Sequence, residues 1–244
     1  STRAAAPFEL KDGDRVVFLG DTLIEREQHY GWIELMLTTR FPDRKVTFRN
    51  LGWSADLPNG ESRLGLSLRQ AGVEPEGEGW ELLQKQIEET KPTVAFLGYG
   101  MAASFAGEAG LPKFKEDYNR LLDAIEKISP GCRCVLLGPT RHEHAWELPA
   151  VNPSAHNKEL DLYRAAISEL AKARNTYFVS LENAFQVVPP FDARHGLATD
   201  NGVHLNERGY GRVAAQIELA LFPIRRSPIS GDLSKEVKIG RAHV

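Results

Sequence analysis

No apolar run in this sequence approaches the ~18 residues that a helix needs to cross a bilayer, so no membrane span is expected. A basic excess is missing too. Lys and Arg number 30 against 33 Asp and Glu, a formal net charge of −3, with no basic block or stripe. Nucleic acid is therefore not an expected partner. Cysteine is scarce: Cys132 and Cys134 stand one residue apart in a strand-like run. Such close neighbours rarely form a relaxed disulfide, so both read as buried thiols, and they imply no compartment. An initiating Met is also lacking. The start Ser1-Thr2-Arg3 fits removal of a targeting segment or an incomplete gene. The last seven residues, Lys238 to Val244, read as translated sequencing adapter, and the chain is expected to continue past Val237.

What is present suits one large α/β domain. The chain has 244 residues, 42% apolar and 26% charged, enough for a full core. Residues 1–13 read as an N-terminal extension, 14–222 as the domain, 223–237 as a polar linker or the start of another segment, and 238–244 as the adapter.

Short apolar runs alternate with amphipathic stretches along the domain. Val16-Val17-Phe18-Leu19 reads as a strand buried on both faces. A helix is predicted over 25–41, with Ile33, Leu37 and Phe41 at four-residue spacing. Strands follow at 45–51, 93–98, 133–137 and 177–181. Helices are predicted at 80–90, 111–128, 154–174 and 206–221, and 101–110 reads as loop. Strand and helix alternating five times predict a three-layer α/β/α sandwich around a five-stranded parallel sheet.

Four strand ends carry unusual chemistry. Gly20-Asp21-Thr22 follows the first strand, Gly52 the second and Gly100-Met101-Ala102 the third. Asn201-Gly202-Val203-His204 precedes the last helix. In an open α/β sheet ligands sit outside the carboxyl ends of the strands, so these turns are expected to face one site. Thr22 also suits a helix N-cap, with Glu25 as its capping-box partner.

This layout resembles the SGNH hydrolases, also called GDSL lipases/esterases, over roughly Asp14 to Leu221. The wording Gly-Asp-Thr-Leu-Ile-Glu-Arg is similar to SGNH-like domains of planctomycete-type bacteria. The resemblance implies a flavodoxin-like sheet, a periplasmic or secreted setting, and no cofactor or metal. It puts Thr22 where the family has its nucleophilic Ser, and His204 as general base. Asn201 stands where the family has the Asp that orients the base, and Asp200 is the adjacent substitute. Gly52 and the Thr22 amide would hold an oxyanion. Ala102 stands where the family has the oxyanion-hole Asn. Losing that donor costs about 10²–10³ in turnover, and an amide that holds the imidazole in the wrong tautomer costs about 10⁴.

Asp21, Trp53, Tyr99 and Gly100 are candidate substrate contacts, with Trp146 a further aromatic at the same end and Arg194 and His195 a candidate anion pair. In His142-Glu143-His144 the two histidines form an alternating pair with no third ligand in view, so the stretch reads as a solvated loop. Two functions follow. One is an ester hydrolase acting on a small-molecule or carbohydrate ester. The alternative is an inactive SGNH-fold binding module, for glycans, within a larger chain.

Overall fold

A computed structural model describes residues 7–63, 71–72, 77–144, 153–185 and 197–222. The strands are β1 (Arg15–Gly20), β2 (Thr47–Asn50), β3 (Val94–Gly98), β4 (Arg133–Gly138) and β5 (Tyr177–Ser180). All pair in parallel, in the order β2-β1-β3-β4-β5. The main helices are α1 (Thr22–Tyr30), α2 (Trp32–Arg40), α3 (Glu78–Thr90), α4 (Met101–Ser104), α5 (Leu111–Ile128), α6 (Pro153–Ala173) and α7 (Glu207–Leu221).

Successive strand side chains point to opposite faces, which divides the core in two. Val16 and Phe18 of β1, Val94 and Phe96 of β3, and Val135 and Leu137 of β4 face α1, α2 and α7. Val17 and Leu19, Ala95 and Leu97, and Cys134 and Leu136 face α3, α5 and α6. Each large apolar side chain buried this way contributes roughly 1.5–3 kcal/mol. Phe8 and Leu10, ahead of β1, are buried in the first of these clusters, with Phe8 edge-on to Tyr177 at 5.2 Å. Cys132 is half-buried, Cys134 is buried, and both are free thiols.

The helix predicted over 25–41 is two helices. Gly31 takes a left-handed conformation, φ 69°, closing α1 and opening α2. A carboxyl oxygen of the buried Glu27 accepts the Ile33 amide at 2.6 Å and so caps the second helix from within the first. Burial pushes the Glu27 pKa up to about 8. The folded protein therefore holds a proton that the unfolded chain releases near 4.5. The stability from this group is complete below about pH 4.5 and is lost as pH rises through about 8. Thermal unfolding compared at about pH 6 and about pH 9 should show a lower midpoint at the higher pH. Glu27→Gln, which cannot ionise, should flatten that difference; an equal fall in both proteins would refute the assignment.

Two further local expectations change. The cap of α1 is Asp21, not Thr22: the Asp21 side chain accepts the Leu23 amide, and Thr22 is the first helical residue. Residues 101–110 are not all loop, because α4 starts directly after Gly100 and a 3₁₀ turn occupies Glu108–Gly110. The chain leaves β1 toward β2 on one side and returns to β3 on the other. The crevice at the β1 and β3 carboxyl ends is thus the topological switch point. Gly20 and Gly98 are in register there, and the Asp21 amide donates to the Gly98 carbonyl at 3.0 Å.

Candidate active site

A cavity of about 310 Å³ opens over this crevice. Asp21, Thr22, Arg26, Tyr99, Ala102, Thr140 and His204 are on its wall, and most of the remaining lining is apolar. Residues from the β1, β3 and β4 ends and from the turn before α7 thus meet at one place.

Asp21 is the floor. Its carboxylate accepts the Leu23 amide at 3.2 Å and the Ala102 amide at 3.3 Å, tying the β1 turn to the β3 turn. It is 1% exposed, and that burial pushes its pKa up to about 6. Asp21 also serves the next amides of α1 with its carbonyl, which accepts from Ile24 and Glu25.

The Thr22 hydroxyl oxygen accepts the Ala55 amide at 2.9 Å. Ala55 holds a left-handed backbone, φ 55°, which is strained for a residue with a Cβ and aims its N–H at Thr22. Among the described residues no hydrogen bond joins Thr22 to the His204 ring, although both line the cavity.

His204 sits in a tight turn closed by a bridge between Thr199 and Leu205. Asn201 organises this turn. Its Oδ1 accepts the Val203 and His204 amides at 3.1 and 2.8 Å. Those two donors fix which end of the amide is oxygen, so Nδ2 faces His204 Nδ1, at 3.2 Å. An NH₂ group can only donate, so Nδ1 must accept and the neutral ring carries its proton on Nε2. Asp200 points elsewhere: its carboxylate pairs with Arg26 at 2.8 Å, while its amide donates to the His204 carbonyl. Loss of solvent contact lowers the His204 pKa, Arg26 lowers it further, and Asp200 and Glu25 oppose both.

The other sequence candidates are placed as follows. The Gly52 amide donates to Asn50 Oδ1 at 2.8 Å, and Gly52 is not part of the cavity wall. Its small size serves packing, since a Cβ there would stand 2.3 Å from the Glu25 nitrogen on α1. Tyr99 is on the wall but 1% exposed, its ring edge-on to Tyr118. Gly100 caps α4 and lies off the wall. Trp53 is also off the wall, 40% exposed, with the Arg63 guanidinium 6.0 Å from its ring centre. Trp146, Arg194 and His195 lie outside the described residues.

Sequence reasoning missed several groups. Arg26 is one helical turn past Thr22, so the i,i+4 spacing was the available signal. Thr140 follows the β4 end as Thr22 follows β1; it makes no hydrogen bond to another described residue. Arg63 is fully buried on Asp56, Gln86 and the Leu51 carbonyl, which no periodicity announces. His142 is corrected from a solvated loop. It is 7% exposed and faces His156 Nδ1 at 3.0 Å, with His156 Nε2 2.7 Å from the Ser104 hydroxyl. Among the described residues no group of three metal-ligand types could hold an ion.

Residues 18–212 match the GDSL-like Lipase/Acylhydrolase family. A comparison with curated proteins finds no match. Among solved structures, the chain is similar to Axe2, an acetylxylan esterase from Geobacillus stearothermophilus. The TM-score is 0.63 at 15% identity, covering 88% of this chain and 97% of that one. A protein from Parabacteroides merdae ATCC 43184, described as a GDSL-like lipase, gives TM-score 0.62 at 19% identity, covering 88% and 99%. A gut microbial diltiazem-metabolizing enzyme, BT4096, gives 0.63 at 18% identity, covering 89% of this chain and 49% of that one. These likenesses show the shared α/β/α fold.

Proposed function

The chain belongs to the GDSL-like lipase/acylhydrolase family, and from that we propose that it is a slow carboxylic ester hydrolase with Thr22 as nucleophile and His204 as base. The supporting observation is that Thr22 and His204, from opposite ends of the domain, line one cavity at the switch point. In the first step Thr22 Oγ attacks the ester carbonyl carbon and its proton passes to His204 Nε2 in the scarce tautomer whose ring proton is on Nδ1, which is what keeps the reaction slow. The leaving alkoxide takes that proton as the C–O bond breaks, leaving an acyl-threonine. Water then adds and gives a proton to His204, which passes it to Thr22 Oγ as the acyl bond breaks and the acid is released.

The oxyanion would rest on the Thr22 amide. Asp21 engages the next three amides of α1, and the helix start favours negative charge. Gly52 acts in this scheme by its size, since its amide is held by Asn50. Asp21 stiffens the floor, and Tyr99 and Thr140 form the wall. The catalytic mutants of Axe2 change a Ser, a His and an Asp three residues before that His. We read Thr22, His204 and Asn201 as their counterparts, from the turn after β1 and the same three-residue spacing before α7. The substrate we infer is a small acyl ester whose leaving group can be a carbohydrate.

A binding module that has lost turnover is favoured by the Asn201 geometry alone, because an Nε2-protonated ring cannot take the Thr22 proton. Hydrolysis of p-nitrophenyl acetate and butyrate separates the two. A hydrolase should show a rate above background that falls by about 10²-fold or more in both Thr22→Ala and His204→Ala. Equal rates in wild type and both variants would leave the binding module.

A further inference from the structure

The segment after β4 carries Glu143, whose side chain reaches across to the turn that bears His204. One carboxylate serves three donors of that turn. It accepts the Ala198 amide at 2.9 Å, the Thr199 amide at 3.0 Å and the Thr199 hydroxyl at 2.7 Å. The Glu143 amide donates to the Gly202 carbonyl at 2.8 Å. The Thr199 hydroxyl oxygen accepts in turn from the Gly202 amide at 3.0 Å, so the carboxylate's hold extends through Thr199 into the middle of the turn. Ala198 and Thr199 are buried, at 0% and 3% exposed, so donors left without this carboxylate would have no water to replace it.

The support beneath is equally fixed. His142, the residue before Glu143, packs so closely under Gly202 that a Cβ there would stand 2.8 Å from His142 Nε2. The His142 backbone is clamped on both sides by the Asn157 amide, at 2.9 Å each. The turn thus rests on a platform built from the β4 loop and α6, and Glu143 is its main polar attachment to that platform.

We propose that Glu143 is the positioning residue of the His204 turn, setting where the imidazole stands relative to Thr22 through its bonds to Ala198, Thr199 and Gly202. It touches no reacting atom. Its catalytic consequence rests on His204 being the base; its structural consequence does not.

The test is Glu143→Ala. All three donors share the Glu143 Oε2 oxygen, which a Gln oxygen could replace, whereas Ala leaves the Ala198 amide and both Thr199 donors without a partner. With p-nitrophenyl butyrate, kcat should fall about 10–100-fold with KM within about twofold, the effect of a displaced base rather than lost binding. In parallel, the His204 ring is titrated by NMR. The groups acting on it are Asn201 at Nδ1, Arg26, Asp200 and Glu25. Its midpoint should rise from its lowered value toward the ordinary 6.5 as the turn loosens into solvent. Ile217→Val, a core change on α7, serves as a control for simple destabilisation. Should Glu143→Ala not fold, Thr199→Val removes only the hydroxyl link and should move both readouts the same way by less. An unchanged kcat and an unmoved His204 titration, with only a lower melting temperature as in the control, would overturn the proposal. A shifted titration in a protein that hydrolyses no ester would uphold the positioning role and reject the hydrolase instead.

Discussion

Asn201→Asp is expected to raise kcat on short-chain aryl esters by about 10³–10⁴-fold. The cause is the direction of one hydrogen bond. In the wild type the Asn201 Nδ2 group donates to His204 Nδ1, which places the ring proton on Nε2, where the base needs a lone pair. A carboxylate in the same place accepts from Nδ1–H and frees Nε2. The substitution is nearly isosteric. The oxygen that holds the Val203 and His204 amides is retained, so the turn should keep its shape. A carboxylate at this distance also favours the imidazolium. The His204 pKa, now lowered by burial and Arg26, should rise. His204 must be neutral to act as base, so the acid limb of the pH–rate profile should move up with it. A full profile for both proteins checks both effects. A rate that does not rise, with a pKa that does, would mean that the tautomer is not what limits turnover.

Ala102→Asn is expected to raise turnover by about 10²–10³-fold. Ala102 lines the cavity on α4, and its amide is tied to Asp21, so its side chain projects from a fixed backbone. The cavity wall there is mostly apolar, and the scheme for Thr22 leaves the oxyanion with a backbone donor alone. A side-chain amide adds a second donor where charge develops. The assay is hydrolysis by wild type and variant against His204→Ala as background. Gains from the two substitutions need not multiply, because groups that act as a unit are not additive. If neither variant exceeds the background, ester hydrolysis of these substrates is set aside.

The sheet was legible because its strands are buried on both faces and so read as unbroken apolar runs, such as Val16 to Leu19 and Val94 to Leu97. The strand-end turns were legible because Gly, Asp and Asn have few other reasons to interrupt such runs. The helix break at Gly31 was not, since a single Gly inside a helical pattern costs only about 1 kcal/mol and is often tolerated. Its effect depends on Glu27 turning inward to cap the second helix. The cap at Asp21 was equally hidden. Asp and Thr are both good caps, and the choice is tied to the bond between Asp21 and the Ala102 amide on α4, beyond a different strand.

Local periodicity and turn preference specify the α/β/α architecture and place Gly, Asp, Asn and His residues at the strand ends and before the last helix. Which of Asp200 and Asn201 meets His204 depends on how the distant segments fold together. Arg26, far away in the chain, draws Asp200 aside and leaves Asn201 on the ring. The tertiary structure also decided that the Gly52 amide goes to Asn50, and that Glu143 grips the His204 turn instead of facing water. The physical reason is the same in each case. A polar side chain's partner is chosen by which donors and acceptors folding brings within 3 Å or so, and that choice is made between segments that periodicity treats separately.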